Sequence, residues 1–351
     1  MQEKKKLAVF LGAGASKAFG LPLTREIFPL IYRHLMSNTL FQGNEKEINL
    51  LRSFIHNILP GLGKISENQY PLITDLLSLL DHAILKGYLL TSGDNMYRYE
   101  QYRYLFEKAI MEILENREDT SNRYLKIFVE WIFRHCTDQM TTIISTNYDN
   151  MLEHSLYDQL RGAGLEVHKS IDFGFDWREP GTDLAHLRPS RPLASVYKLH
   201  GSSNWLKCDL CNHIYVNTYG NTYSLAYNKK SKKYNTCECG HGPMSALIVA
   251  PSLSREVLDT NLPHIWHHAQ ERLRQADDWL IIGYSLPAED LYIRSMFIRA
   301  LSGRAEKPHI YVVQKDDLAY TRYTALMGEM TYETGGLEQY INQHTLSGTI
   351  I

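Results

Sequence analysis

Four of the five cysteines in the sequence lie between positions 208 and 239, in two closely spaced pairs. The four are Cys208, Cys211, Cys237 and Cys239. Paired cysteines at such spacing are typical of structural zinc sites, in which thiolates surround the ion tetrahedrally and leave no open position for catalysis. The second pair is C-x-C rather than C-x-x-C, so His213 or His241 is an alternative fourth ligand. A module that keeps reduced thiols without a metal is the other alternative.

A second chemically suggestive pattern is the glycine turn Gly12-Ala13-Gly14, which follows the apolar run Leu7–Leu11. Two positions without a side chain let the backbone approach a ligand closely, and the first amides of a following helix can face a phosphate. A dinucleotide-binding turn is therefore one interpretation. A plain strand-to-helix turn is the other, because the third glycine of G-x-G-x-x-G would fall at Lys17.

The elements that would position these groups alternate between strands and helices. Short apolar runs predict buried parallel strands. They lie at Leu7–Leu11, Thr142–Thr146, Val196–Leu199, Leu247–Ala250, Trp279–Gly283 and Ile310–Val313. Apolar residues at a spacing of three and four predict helices at Pro71–Lys86, Tyr99–Glu115 and Leu125–His135. The alternation predicts an α/β fold.

Two stretches interrupt this alternation. Residues 30–140 are mostly helical and too long for one crossover connection, which predicts an all-α insertion. Residues 202–246 are rich in Asn, Lys, Tyr and Cys, with little apolar periodicity. We therefore expect a small module there that is held by something other than an apolar core.

The composition limits the classes of function. With 44% hydrophobic residues, 22% charged residues and a formal charge of -2, the chain is not of the disordered type and has no overall basic excess for direct nucleic-acid binding. No run approaches the roughly 18 apolar residues of a membrane span, and the first apolar run is too short for a signal peptide. We expect a cytoplasmic protein without membrane contact, in which clustered thiols favour metal over disulfides.

Four motifs, in order, resemble those of the sirtuin family. The run G-A-G-A-S-K-A-F-G-L-P that begins at Gly12 is similar to the sirtuin motif G-A-G-x-S-x-x-x-G-I-P. S-T-N-Y-D from Ser145 resembles T-Q-N-I-D, K-L-H-G-S from Lys198 resembles L-H-G, and G-Y-S-L from Gly283 resembles G-T-S-L. The resemblance implies a sirtuin-like domain over 1–351, with a Rossmann-like parallel sheet covered by helices on both faces. It also implies NAD⁺ as substrate and a zinc-ribbon-like module over 202–246.

The resemblance also assigns the dinucleotide contacts position by position. The residues that would hold the pyrophosphate are Gly12, Ala13, Gly14 and Ser16. Gly283 and Ser285 would contact the adenosine side.

Three further residues receive roles in the reaction from the resemblance. Asn147 would orient the nicotinamide ribose and a nucleophile, Asp149 would bind the nicotinamide carboxamide, and His200 would act as general base near the ribose hydroxyls. An imidazole can accept a proton at pH 7, and an amide can hold a water without competing for its proton. Outside this context, a His-Gly at a strand end is more often structural and an Asn-x-Asp after a strand is more often a helix cap.

Two departures from the protein-deacylating sirtuins favour reaction with water. In those enzymes G-I-P is followed by D-F-R, whose phenylalanine covers the reacting ribose carbon, whereas this chain has Leu23-Thr24-Arg25. After the zinc module, deacylases carry V-V-x-F-G-E, where an acyl-lysine peptide adds as a strand. This chain has L-I-V-A-P-S from Leu247, and Pro251 lacks the N–H that such pairing uses.

The sequence therefore predicts an NAD⁺ hydrolase that releases nicotinamide and ADP-ribose. Cleavage of this N-glycosidic bond passes through an oxocarbenium-like state that a positioned water can capture. The pattern resembles that of divergent bacterial sirtuin-like NAD⁺ hydrolases of anti-phage defence, and this resemblance implies a triggered enzyme, a homo-oligomer, and a partner ATPase or other defence-system protein. The alternatives are a protein deacylase or ADP-ribosyltransferase, which needs a protein co-substrate, and a module that binds NAD⁺ without turnover.

Overall fold

The computed structural model of the chain describes residues 5–138, 140–220, 222–227, 235–249, 262–288 and 290–344. Its strands, β1 to β12 in chain order, are Lys6–Leu11, Met140–Ser145, Ile171–Asp172, Trp177–Arg178, Ala185–His186, Ala194–Lys198, Gly201–Lys207, Ile214–Val216, Ser245–Ile248, Asp278–Ile282, His309–Val313 and Thr331–Glu333. Its α-helices, α1 to α13, are Ala13–Ala18, Thr24–Met36, Glu45–Ile58, Ile73–Lys86, Met96–Glu115, Arg123–Asp138, Met151–Gly162, Val167–Ser170, Tyr223–Tyr227, Leu262–Gln275, Leu291–Leu301, Asp317–Met327 and Gly336–His344. Short 3₁₀ helices lie at Leu40–Gly43, Leu62–Lys64 and Glu67–Gln69.

The main sheet has seven strands in the order β12-β11-β10-β1-β2-β6-β3. Every pairing between neighbours is parallel. After their first residues, Lys6 and Asp278, the central strands β1 and β10 are apolar on both faces and buried, because helices exclude water from both sides of such a sheet. The predicted strands at β1, β2, β6, β10 and β11 are confirmed.

The helices around this sheet form two packed sets, as the Rossmann-like prediction requires. In one set α1 contacts α13, α13 contacts α6 and α6 contacts α7, and in the second set α10 contacts α11 and α11 contacts α12. Asparagine or aspartate side chains cap the first turns of α3, α5, α11 and α12, where they accept hydrogen bonds from backbone N–H groups that lack helical partners. The predicted α/β class and its parallel sheet are confirmed.

The second sheet has five short strands in the order β5-β4-β8-β7-β9. It includes the run that begins at Leu247, which the sequence analysis expected in the parallel sheet, so that expectation is wrong; Ala250 and Pro251 lie outside the described residues. Strands β4 and β5 come from before residue 202, so this sheet is larger than the predicted module. An apolar cluster that includes Leu206, Tyr215 and Met244 surrounds two of the cysteines. This part of the chain therefore has a small apolar core of its own, to which two of the cysteines belong.

The helical part of the chain forms a compact unit that includes Pro22–Arg117, and another unit includes the described residues of Met1–Leu21, Glu118–Leu247 and Val257–Ile351. The helical unit has its own aromatic core, in which the rings of Phe54 and Tyr102 stack with centroids 4.0 Å apart. Helix α6, which the sequence analysis placed in the insertion over 30–140, packs instead against β2 and α7 in the sheet unit. Among the described residues, no helix is both long and apolar enough to cross a membrane.

Candidate active site

The four sequence motifs meet at one edge of the main sheet. Each motif begins where a strand ends: β1 leads to Gly12, β2 to Asn147, β6 to His200 and β10 to Gly283. These four strands are neighbours in the order β10-β1-β2-β6. Because all are parallel, their carboxyl ends lie side by side, which is where open α/β sheets bind ligands.

The glycine turn packs against the loop that follows β10. The Gly14 N–H donates to the Gly283 carbonyl at 2.8 Å, and the Gly12 N–H donates to the Ile282 carbonyl at 2.9 Å. A Cβ on Gly12 would lie 2.6 Å from the Tyr284 Cα, and a Cβ on Gly283 would lie 2.1 Å from the Ala15 nitrogen. The glycines therefore allow two backbone segments to touch, a role that the sequence analysis missed. Their part in holding a pyrophosphate stays a prediction.

The loop after β2 joins this turn through side chains. Asn147 Nδ2 donates to the Gly12 carbonyl at 2.9 Å and to Ser16 Oγ at 2.8 Å, and Ser16 Oγ donates to Asp149 Oδ2 at 2.6 Å. The direction of each bond is fixed because Nδ2 can only donate and an ionised carboxylate can only accept. With Nδ2 occupied, the amide oxygen is the atom that Asn147 can present to a water or a ribose hydroxyl. Asp149 is buried, and its carboxylate is engaged by Ser16.

His200 is hydrogen-bonded to the backbone of the segment that follows β2. The side chain is buried, and Nδ1 lies 3.1 Å from the Thr146 carbonyl. Because a carbonyl can only accept, Nδ1 carries the proton and the lone pair of the neutral ring is on Nε2. The rings of Tyr148 and Trp266 lie beside the imidazole, each with its centroid 6.2 Å away, and the Trp266 indole N–H donates to the Leu199 carbonyl.

Four backbone carbonyls of residues 145–149, which end β2 and form the β2 loop, accept hydrogen bonds from residues 198–203, which run from the end of β6 into β7 and which we call the β6 loop; we call this set of four bonds the loop ladder. The Ser145 carbonyl accepts from the Leu199 N–H at 2.9 Å, and the Tyr148 carbonyl accepts from the Ser203 N–H at 2.7 Å. The other two acceptors are the Thr146 carbonyl, bonded to His200 Nδ1, and the Asp149 carbonyl, bonded to Lys198 Nζ. The loop ladder therefore fixes the segment that carries Asn147 relative to the segment that carries His200.

A buried ion pair beneath the site had no role in the sequence analysis. Lys198 and Glu153 are 1% and 4% exposed, and Nζ lies 2.8 Å from Oε1. Burial raises the pKa of the Glu153 carboxyl, and the Lys198 ammonium acts against that shift. Together with Ser16, Asn147 and Asp149, both residues line a small cavity. A sequence signal existed, since Glu153 lies among apolar residues on the buried face of α7 and such a carboxylate needs a partner.

The loop after β10 is braced through its carbonyls. The Ser285 carbonyl accepts two hydrogen bonds from Arg322, at 3.0 and 2.8 Å, and the Leu286 carbonyl accepts one from Arg294 at 2.8 Å. Leu286 has a φ of 50°, a conformation that L-residues rarely adopt without such support. The role predicted for Gly283 and Ser285 on the adenosine side stays a prediction.

The four cysteines of the second sheet form one cluster. Their sulfur atoms all lie within 4.8 Å of one another, with 3.6 Å between Cys208 and Cys239 and 3.4 Å between Cys211 and Cys237. A tetrahedral zinc site with Zn–S bonds of about 2.3 Å has sulfur–sulfur edges of roughly 3.7 Å, so this arrangement fits zinc. His213 instead approaches Glu238, with Nδ1 3.3 Å from Oε1. The C-x-C pair therefore completes the predicted ligand set.

Tyr215 supports the cysteine cluster from outside. Its hydroxyl donates to Cys237 Sγ at 3.2 Å. Burial alone would raise the pKa of the Cys237 thiol, but the hydrogen bonds to it, that from Tyr215 foremost, lower the pKa to about 7. The thiolate is the form of cysteine that binds a metal ion; burial raises the pKa of the neighbouring Cys211 thiol, so Cys237 ionises more readily than Cys211.

Comparison with known proteins gave one family. A model described as a SIR2-like domain matches residues 141–330. Two solved structures of Sir2 homologues are similar to the chain. One is a multiply substituted mutant in complex with 2′-O-acetyl ADP-ribose, with 15% identity, coverage of 98% of this chain and 92% of that chain, and a TM-score of 0.42. The other is a mutant in complex with ADP-ribose, with 13% identity, coverage of 99% of this chain and 95% of that chain, and a TM-score of 0.45. No curated protein matches the chain significantly.

The metal assignment predicts about one equivalent of zinc per purified chain, as expected for one closed four-ligand site. Chelation should lower the melting temperature, because the binding energy of a structural metal contributes to folding. Cys237→Ser should lose the metal, whereas His213→Ala should keep it. Elemental analysis that finds no zinc in freshly purified folded protein would refute the assignment.

The loop contact predicts a large stability loss for Gly283→Ala. The new methyl group would meet the Ala15 nitrogen, and φ at this position is +63°. Gly303→Ala is the matched control, since φ is +73° there and no atom lies within 4 Å of the added Cβ. In urea unfolding we expect about 1 kcal/mol of loss for the control, from the left-handed conformation, and about 3 kcal/mol or more for Gly283→Ala, from added overpacking. Equal losses would show that the two loops do not touch.

Proposed function

Because the chain belongs to the family of proteins with a SIR2-like domain, we propose that it is an NAD⁺ hydrolase that cleaves the bond between nicotinamide and ribose. The observation that carries this proposal is that Asn147 and His200 follow adjacent strands, and that the loop ladder connects the segments that carry them. One residue offers an amide oxygen and the other a basic Nε2, and both lie at the carboxyl ends of adjacent strands. Orienting a water and accepting its proton needs these two functions.

The proposed reaction converts NAD⁺ and water into ADP-ribose, nicotinamide and a proton. The bond between the ribose carbon and the ring nitrogen breaks, and its electron pair stays with nicotinamide, which leaves as a neutral molecule. Water adds to the resulting oxocarbenium-like carbon. In this proposal, Asn147 accepts a hydrogen bond from that water, and His200 Nε2 takes the proton and returns it to solvent.

Two sequence features favour water over a peptide as the acceptor. Leu23-Thr24 stands where deacylating sirtuins have Asp-Phe, so the ring that shields the ribose carbon in those enzymes has no counterpart. Pro251 stands where a guest peptide would need a backbone donor; this position lies outside the described residues. Asp149, the predicted carboxamide contact, would hold nicotinamide after exchanging its bond from Ser16.

The cellular role that we propose is regulated NAD⁺ depletion in bacterial anti-phage defence. Its support is the sequence resemblance to divergent sirtuin-like hydrolases of that kind. An enzyme that consumes a central cofactor must be restrained until it is needed. We therefore propose a cytoplasmic homo-oligomer whose activity is released by a partner, such as an ATPase or another protein of the same defence system.

The first test is product analysis with purified protein and NAD⁺, at an enzyme concentration high enough to detect the basal turnover of a restrained enzyme, with and without an acyl-lysine peptide. We expect nicotinamide and ADP-ribose in equal amounts, at a rate that the peptide does not change, because water is the acceptor. A tenfold acceleration by the peptide, which corresponds to about 1.4 kcal/mol of barrier lowering, with formation of O-acyl-ADP-ribose would identify a deacylase instead. ADP-ribosylated peptide would identify a transferase.

The second test removes the two catalytic side chains. His200→Ala and Asn147→Ala should each lower kcat by about 10²- to 10⁴-fold, the usual contribution of a positioned acid–base group. The exposed His267 provides the control, and His267→Ala should keep the wild-type rate. NAD⁺ affinity of His200→Ala should change little, because the glycine turn is left intact, whereas Asn147→Ala also removes the hydrogen bonds to Gly12 and Ser16. Turnover of His200→Ala within threefold of wild type would show that another group is the base.

A further inference from the structure

Lys198 is a buried charge close to the reacting groups. It is the last residue of β6, two positions before His200, and it is 1% exposed. A buried ammonium must be paired or it loses more solvation than it can recover. Lys198 has two partners, the Glu153 carboxylate at 2.8 Å and the backbone carbonyl of Asp149.

The second of these partners is what relates Lys198 to the reaction. Glu153 neutralises the ammonium and takes one of its three N–H groups, and the other N–H groups need acceptors of their own. The acceptor that this chain supplies is the Asp149 carbonyl, which belongs to the loop that carries Asn147. It is the charged member of the loop ladder, and hydrogen bonds from charged donors are roughly twice as strong as neutral ones.

We propose that Lys198 is a positioning residue that holds the Asn147 loop against the His200 loop through its bond to the Asp149 carbonyl. The inference rests on the proposed function for its catalytic consequence. Lys198 touches no reacting atom in this account. It acts through Asn147 and His200, because a shift of about 1 Å in a catalytic group can cost on the order of 10²-fold in rate.

The decisive experiment separates the charge pair from the carbonyl contact. Lys198→Met keeps the length of the side chain but leaves Glu153 without its counter-ion, so stability and turnover should both fall. In the double variant Lys198→Met with Glu153→Gln, position 153 no longer carries a charge that has lost its counter-ion. We expect the double variant to regain most of the lost melting temperature, while kcat stays about 10- to 100-fold below wild type and KM changes by less than about threefold.

A second lysine–glutamate pair, in which the lysine is buried and the glutamate is half-buried, supplies the control. Lys108 is 8% exposed and lies 2.6 Å from Glu47 within the helical unit. Lys108→Met should lower the melting temperature and leave kcat within twofold of wild type. If the Lys198/Glu153 double variant regains turnover together with stability, Lys198 is a structural residue only and the inference is wrong.

Hydrogen exchange tests the same inference without any enzyme assay. The Leu199 and Ser203 amides donate to the β2 loop, whereas the Gly283 amide donates to Val313 on the far side of β10. In the double variant, exchange at Leu199 and Ser203 should be at least tenfold faster, with Gly283 unchanged. Unchanged exchange at all three would overturn the positioning role. A wild-type protein that never cleaves NAD⁺ would overturn the proposed function, and the exchange result would still decide whether Lys198 holds the loop.

Discussion

The loop ladder is the interaction on which the rest of the site depends. Strands β2 and β6 are neighbours, and the carbonyls that follow β2 point toward the segment that follows β6. Within residues 145–149, four backbone carbonyls accept hydrogen bonds: two from backbone amides, one from an imidazole and one from an ammonium group. The bond from His200 Nδ1 to Thr146 sets the tautomer of the ring, so the chemistry of that side chain follows from backbone geometry.

Hydrogen bonds to backbone carbonyls also connect the other two motifs across the sheet. Asn147 connects the loop ladder to the glycine turn through the Gly12 carbonyl, and Gly14 connects that turn to the loop after β10. The motifs are therefore held to one another by hydrogen bonds, independently of any ligand. A connected network of this kind holds polar groups in place before a substrate arrives, which is how a site avoids reorganisation during reaction. Each glycine in it marks a place where a side chain would separate two loops.

Some of this organisation could be predicted from the sequence, and some could not. Strands such as β1 and β10 are continuous apolar runs, and the cysteine spacing pointed to the sulfur cluster, so both were predicted. Strands β3, β4 and β5 have two residues each, too few to show a period. The run from Leu247 is apolar enough for either sheet, and only tertiary pairing places it in the second. Hydrogen bonds to backbone carbonyls carry no side-chain signature, so the motif K-L-H-G-S does not reveal the role of Lys198.

The central claim is that the edge formed by β10, β1, β2 and β6 binds the dinucleotide with Asn147 and His200 facing its ribose. A crystal structure of the chain with ADP-ribose tests this claim most directly. The account predicts a ribose hydroxyl within hydrogen-bond distance of His200 Nε2, about 3 Å, with the pyrophosphate beside the turn at Gly12 and Ser16. ADP-ribose bound away from this edge, or a ribose out of reach of both side chains, would contradict it.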